Sequence, residues 1–168
     1  MNKLSYYHPH RFSHHADKGE LTMSRQRIEI RQSFNAPVEE IFTLLTTHES
    51  FGQIIATKIK RVVDSKGENK NGVGSVRRIS KFPLPDFEET VVTFEPNQVM
   101  EYVVSKGSPV KNHNGRMEFS YKNGKTDLYY KIEFDPKLPF LPLGSVIKKA
   151  VESPIRKGIK KLAGRYRS

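Results

Sequence analysis

Two adjacent arginines, Arg77 and Arg78, are the residues of this chain best suited to recognise a polar group of a ligand. A guanidinium that faces an apolar pocket can pair with a carboxylate or a phosphate. It can equally form a buried ion pair with an acidic residue of a neighbouring strand. The candidate acidic partners are Glu88, Glu89 and Glu101. The arginine pair therefore indicates either a ligand anchor or an internal ion pair, and both alternatives stay open.

The local pattern does not clearly decide which arginine faces inward. Successive side chains of a strand point to opposite faces, so a regular strand buries only one of the two. Val76 and Phe82 share the parity of Arg78, whereas Val73 and Ile79 share that of Arg77. We predict that Arg78 faces inward.

Histidines are the second group that could do chemistry, because imidazole titrates near neutral pH. His48 and His113 could act as a general acid or base, but no partner is identifiable for either, and we expect solvated or capping side chains. Four more histidines lie within residues 1–24: His8, His10, His14 and His15. That segment has no helical or strand periodicity, and ordering it around a metal would cost much entropy. We predict a disordered tail over 1–24 and no metal site.

Composition restricts the classes of function. The chain has 168 residues and no cysteine, which excludes a disulfide framework, a thiolate metal site and a cysteine nucleophile. No apolar run approaches the roughly 20 residues that cross a bilayer, and the N-terminus lacks the apolar core of a secretory signal. We expect one cytoplasmic domain over residues 25–168, without a cofactor.

The elements that would position these residues are strands followed by one long helix. Residues 27–34 alternate as a half-buried strand, and a proline at position 37 precedes a short amphipathic helix over 38–45. A second short helix is predicted around 49–55. Six further strands, separated by turn residues, form an antiparallel meander. They are predicted at 58–64, 73–82, 87–94, 98–106, 113–122 and 126–135.

The last segment, about 145–166, has apolar residues at helical spacing and basic residues on its other face. Pro154 lies inside this pattern, so we expect a kink or break near Ser153. The net charge of the chain is +11, and residues 143–168 carry eight basic residues against one acidic residue. We favour a solvated basic face. Transient contact with an anionic membrane surface is the second alternative, and nucleic acid is not expected as a partner.

The order strand, two short helices, six strands, long helix resembles the START-like helix-grip (SRPBCC) superfamily. Within it, the chain resembles the polyketide cyclase/dehydrase and lipid-transport group over residues 26–166. The motifs that carry the resemblance are Phe34–Phe42, Gly72–Arg77, Glu88–Pro96, Met100–Tyr102, Gly124–Thr126 and Tyr130. Family members often have tryptophans after the second helix and in the last strand, but this chain has no tryptophan.

The resemblance implies an α+β fold in which a curved, seven-stranded antiparallel sheet encloses a cavity with two short helices and a long C-terminal helix. It implies a hydrophobic small-molecule ligand, such as a lipid, quinone or polyketide. From strand parity and helical spacing, the predicted ligand-binding residues are Arg78, Phe82, Tyr102, Met117, Phe119, Tyr130, Ile147 and Val151. We expect a binding or transport protein; the alternative is a cyclase or dehydratase acting on a polyketide-like substrate.

Overall fold

The computed structural model describes residues 25–81, 84–137 and 143–166. The predicted disordered tail over 1–24 and the predicted ligand-binding residue Phe82 therefore lie outside the described residues. So does most of the apolar, proline-containing segment between the last strand and the long helix, residues 138–142.

The described residues form one sheet and three helices in the predicted order. The strands are β1 (Gln26–Phe34), β2 (Lys58–Val63), β3 (Val76–Ser80), β4 (Phe87–Glu95), β5 (Val99–Lys106), β6 (Val110–Lys122) and β7 (Lys125–Pro136). The helices are α1 (Val38–Thr46), α2 (His48–Ile54) and α3 (Leu143–Gly164). The antiparallel sheet has the order β1-β7-β6-β5-β4-β3-β2, so only β1 leaves the sequential meander, by pairing with β7. The predicted α+β helix-grip architecture is confirmed.

Strands β6 and β7 show how local sequence specifies the sheet. Asn123 and Gly124 both have positive φ, 53° and 76°, which is the turn geometry that a two-residue hairpin requires. After this turn, β7 alternates strictly between buried apolar and more exposed polar positions. Its buried apolar members are Leu128, Tyr130, Ile132 and Phe134. The hydrophobic face of β7 therefore lies against the core, as its sequence predicts.

Strand β6 begins earlier than predicted, at Val110 rather than His113, and it contains a bulge. Lys111 pairs with Asp135 and Asn114 with Glu133, so β6 has one extra residue in this interval. Asn112, inside the bulge, has φ 51°, a conformation that asparagine tolerates better than most residues. A single extra residue reverses the parity of a strand. As a result, both Val110 and His113 face the concave side of the sheet.

Helix α3 runs without interruption through Pro154, so of the predicted kink or break near Ser153, the break does not occur. Proline removes one backbone donor, but the apolar side of the helix remains packed in the core. Its fully or nearly fully buried members include Ile147, Ile155, Ile159 and Leu162. Tertiary packing therefore outweighs the local cost of the proline.

Gly158 is the point at which α3 packs against the end of α2. A Cβ at this position would lie 2.3 Å from the carbonyl oxygen of Ile54 and 2.9 Å from its carbonyl carbon. The obstacle is backbone, which cannot move aside as a flexible side chain can. We expect Gly158→Ala to lower the free energy of unfolding by about 1–3 kcal/mol through overpacking.

The control for this prediction is Gly164→Ala, because a Cβ there meets no atom within 4 Å. Alanine is the better helix former by about 1 kcal/mol, so this change should be neutral or stabilising. Urea denaturation followed by circular dichroism would compare the two variants. Equal effects of both substitutions would contradict the packing argument.

Candidate functional site

The candidate site is a cavity of about 80 Å³ between the concave face of the sheet, α2 and α3. A single water requires roughly 10–15 Å³ of such space, so the sheet and α3 do not pack solidly against each other here. Most of the wall is apolar, which suits a hydrophobic ligand. The wall includes Phe51, Ile55, Ile59, Ile79, Phe87, Val104, Val110, Ile132, Phe134, Ile147, Val151 and Ile155.

Four of the predicted ligand-binding residues line this cavity: Tyr102, Tyr130, Ile147 and Val151. Met117 and Phe119 are buried, as expected of the inward face, but they are not part of the cavity wall. Phe119 instead makes an edge-to-face contact with Phe42 of α1, with ring centroids 5.1 Å apart. The placement of these two residues in the site was wrong, because α1 covers their end of the sheet and fills it with side chains.

The choice between the two arginines was also wrong. Arg77 is 1% exposed and lines the cavity, whereas the side chain of Arg78 is 46% exposed and lies on the outer face. Arg78 donates hydrogen bonds from Nε and Nη2 to Glu88, at 3.2 and 2.7 Å. Strand β3 ends at Ser80. Within β3 the deciding neighbour is Ile79, which is buried on the same face as Arg77.

Arg77 forms a buried ion pair with Glu89, one of the three acidic partners considered for an inward arginine. Its Nε and Nη2 each lie 2.8 Å from Glu89 Oε2. His113 lies on the other side of this carboxylate, with Nε2 3.9 Å from Glu89 Oε1. The interpretation of His113 as a solvated or capping residue was wrong, because its side chain is only 9% exposed and lines the cavity.

Two polar atoms of this cluster are buried and have no hydrogen-bond partner among the described residues. They are Arg77 Nη1 and His113 Nδ1. A buried polar atom without a partner costs about 1–3 kcal/mol relative to one that is satisfied. Both atoms belong to residues of the cavity wall, so a ligand in the cavity could supply the hydrogen-bond partners that the protein does not.

Two tyrosines complete the cluster. The hydroxyls of Tyr102 and Tyr130 are hydrogen-bonded to each other at the centre of the sheet's inner face. The guanidinium of Arg77 lies 4.4 Å from the ring centroid of Tyr102 and 5.2 Å from that of Phe51. These ring faces stabilise a cation that is otherwise removed from water. The ring of Tyr102 crosses the backbone at Gly115, where a Cβ would lie 2.2 Å from Cζ.

Burial determines the charge states of the cluster. It lowers the pKa of Arg77, but the adjacent Glu89 carboxylate raises it, and the net direction is upward, so Arg77 stays cationic. Burial raises the pKa of both Tyr102 and Tyr130, which are therefore neutral phenols. Burial also lowers the pKa of His113, against the opposing effect of Glu89, so its imidazole is neutral at pH 7.

A second buried histidine, His48, lies behind the cluster at the start of α2. It is fully buried, which overturns the expectation that it is solvated or merely a capping residue. Its Nε2 lies 3.1 Å from Ser75 Oγ, and its backbone N–H donates to Asn71 Oδ1 at 3.2 Å. Burial, reinforced by the nearby charges of Arg77 and Arg61, lowers its pKa to about 3.

No group of three or more acidic or histidine side chains suited to a metal ion occurs within residues 25–81, 84–137 and 143–166. In the same residues, no helix is both long enough and apolar enough to cross a membrane. The site therefore combines one ion pair, a neutral imidazole and two phenols with mostly apolar side chains, and Lys81 also lines the cavity. Such a set can bind and orient a ligand through hydrogen bonds, and it includes one group, His113, that could move a proton.

Sequence reasoning missed Glu89 and His113 as members of one site. The signal available for Glu89 was the alternation of β4, in which Glu89 and Val91 share a parity opposite to that of Glu88. The signal available for His113 was its parity with Met117 and Phe119, which were predicted to face inward on the same strand.

Comparison with solved structures shows the same fold in proteins of very different sequence. The norcoclaurine synthase of Thalictrum flavum, solved with dopamine and hydroxybenzaldehyde, has 12% identity and a TM-score of 0.63, covering 100% of this chain and 99% of its own. The Zhui aromatase/cyclase of Streptomyces sp. R1128 has 14% identity and a TM-score of 0.65, covering 86% and 98%. A protein of Thermus thermophilus has 12% identity and a TM-score of 0.67, covering 84% and 97%. The TM-scores show a shared fold, and at such low sequence identity the likeness shows the fold alone.

A search of curated proteins found no match. The family model described as polyketide cyclase / dehydrase and lipid transport matches residues 25–167, nearly the whole chain. Its extent agrees with the described sheet and helices, from the start of β1 to beyond the end of α3. This chain belongs to the polyketide cyclase/dehydrase and lipid transport family.

Proposed function

We propose that this protein binds a hydrophobic small molecule, of lipid, quinone or polyketide type, in the cavity between its sheet and α3. The cavity of about 80 Å³ is smaller than the roughly 300–1,000 Å³ of typical ligand pockets, so its walls would have to move apart to admit a ligand of this size. The observation that carries the proposal is a pair of buried, unsatisfied polar atoms, Arg77 Nη1 and His113 Nδ1, in an otherwise apolar wall. A few convergent polar groups in an apolar cavity are typical of small-molecule sites. The ligand would satisfy these atoms while its apolar part displaces water.

The charge balance of the site specifies the ligand's polar group. The positive charge of Arg77 is already paired with Glu89 at 2.8 Å. Beside Arg77, an added carboxylate would meet a neutral pair rather than a free cation, and Glu89 would repel it; the other cation of the cavity wall is Lys81, which is not part of this pair. A carbonyl or hydroxyl oxygen can accept a hydrogen bond from Arg77 Nη1 without upsetting this balance. We therefore expect a ligand with a neutral oxygen at one end or edge.

Native mass spectrometry of the purified protein tests the proposal by detecting a co-purifying apolar molecule. We expect Ala150→Leu to abolish or strongly reduce this species, because Ala150 lies in the cavity wall and leucine would fill the space. Val146→Leu is the matched control on the same helix, since Val146 is 55% exposed and outside the cavity wall. A bound species retained equally by both folded variants would contradict a ligand in this cavity.

A second candidate function is proton-transfer catalysis of a cyclisation or dehydration. It is favoured by the neutral imidazole of His113, which lies in the cavity wall beside Glu89. A general base must be unprotonated at the working pH, and the lowered pKa of His113 meets this condition. Incubation of the protein with a polyketide-like substrate, followed by liquid chromatography and mass spectrometry, distinguishes the two functions. A carrier returns the molecule unchanged, a dehydratase returns it with the mass of one water removed, and a cyclisation without loss of water changes its retention but not its mass.

A further inference from the structure

A second recess lies outside the cavity, between the end of α2 and the C-terminal half of α3. Its volume is about 600 Å³. The apolar part of its wall comprises Leu44, Ile54, Ile55, Ala56, Pro154 and Leu162, and the polar uncharged part comprises Ser50, Gln53 and Ser153. We call it the basic groove, because every charged residue that lines it is a cation: Lys81, Lys157, Lys161 and Arg165.

The four cations of the basic groove are not neutralised within the protein. None makes a side-chain hydrogen bond or an ion pair with another residue in the described part of the chain. Lys157 and Lys161 lie four residues apart on α3, where like charges repel, and Arg165 directly follows the end of this helix. The helix dipole favours cations in the last turn, which accounts for Lys161. It does not account for Lys157, which lies earlier in the helix, or for Lys81, which directly follows β3. An external anion would relieve this repulsion.

The positive charge extends from the basic groove along the exposed side of α3. Lys149, Lys157 and Lys160 are exposed at helical spacing, together with Val146, which is 55% exposed. Glu152 is the one acidic residue of α3, and it is occupied by Arg156. The cations are too many and too widely spread for the head group of one ligand, and they suit a surface that carries many negative charges.

The basic groove also adjoins the cavity. Ile55, Lys81 and Pro154 line both spaces. A surface bound at the groove would therefore lie beside the wall of the cavity, where an apolar molecule could pass between the two.

We propose that the basic groove and the adjoining exposed side of α3 form a docking surface for an anionic phospholipid bilayer. Multiple lysines and arginines near such a bilayer each contribute attraction that adds along the surface. Nucleic acid is the less suitable polyanion, because none of the residues lining the groove is aromatic and could stack on a base. The docking surface is independent of what occupies the cavity.

The test is co-sedimentation of the full chain with vesicles of phosphatidylcholine alone or mixed with phosphatidylserine. The intact protein should bind only the mixed vesicles, and added salt should weaken the binding. Attraction of about 1 kcal/mol per cation corresponds to about fivefold in the partition coefficient, so Lys157→Gln/Lys161→Gln should bind about 30-fold more weakly. Both positions are exposed, and glutamine is nearly as good a helix former as lysine, so the fold should be retained.

The matched control is Lys122→Gln/Lys125→Gln, which removes the same charge from exposed positions in the hairpin between β6 and β7. It should bind the mixed vesicles as tightly as the intact protein. Equal losses in the two double variants would show that net charge alone drives binding and would overturn the proposal. Unchanged binding of the groove variant, or tighter binding to duplex DNA than to the mixed vesicles at equal salt, would overturn it as well.

Discussion

Arg77→Met is expected to lower the free energy of unfolding by about 3–5 kcal/mol, because it leaves the carboxylate of Glu89 buried without its partner. The side chains of Arg77 and Glu89 are 2% and 8% exposed, so water cannot replace the lost ion pair. Methionine keeps most of the apolar stem of arginine, and the expected loss therefore reflects the charge rather than a cavity. Urea denaturation followed by circular dichroism measures it.

Two control variants test whether the loss of stability comes from the burial of this ion pair. Arg78→Met removes the adjacent arginine, whose side chain is 46% exposed, and should have a much smaller effect, since exposed pairs contribute little. Arg77→Met/Glu89→Leu removes both charges and should recover most of the stability lost in Arg77→Met, because no unpaired charge remains. If Arg77→Met lowered the free energy of unfolding no more than Arg78→Met, the buried ion pair of Arg77 and Glu89 would be refuted.

The stability of the protein should fall as the pH is lowered from 6.5 to 4.5, mainly through His48. The pKa of His48 is about 3 in the folded state and 6.5 in the unfolded state. Between these values the unfolded chain binds a proton that the folded protein does not, so acid favours unfolding. The maximum slope for one such histidine is about 1.4 kcal/mol per pH unit. His113, whose pKa is also lowered, acts in the same direction.

The histidines dominate the upper part of the interval from pH 6.5 to 4.5, because acidic residues with lowered pKa values, such as Glu49 and Glu101, begin to lose their contribution only as the pH approaches their unfolded value of 4.5. His48→Gln retains a neutral side chain able to reach Ser75 and should flatten the dependence of the free energy of unfolding on pH. The measurement is a series of urea titrations across this interval. A slope as steep in His48→Gln as in the intact protein would exclude His48 as the source.

Much of the fold was predictable because it depends on patterns between near neighbours in the chain. The alternation of β7, the Asn123-Gly124 turn and the four-residue spacing of α3 each reflect geometry within a few residues. The order of the elements then restricted the topology to a meander that closes on a helix. Tyr102, Tyr130, Ile147 and Val151 were placed in the cavity wall on the same basis.

The site itself depended on interactions that a local pattern does not contain. Parity placed Met117 and Phe119 on the correct face, but the position of α1 decided that they fill the core instead of lining the cavity.

The sequence by itself determined the elements and the apolar and basic sides of α3, because each follows from side-chain periodicity along one segment. It also predicted the meander of β2 to β7 from their short connections, whereas the pairing of β1 with β7 is long-range. Only the tertiary structure decided that Arg77 rather than Arg78 faces inward, since the ends of β3 are set by its partner strands. Only the tertiary structure brought His113 to Glu89, because these residues lie on β6 and β4, two strands on either side of β5. Tertiary packing also keeps α3 continuous through Pro154, because the packing of a whole helix outweighs one missing hydrogen bond.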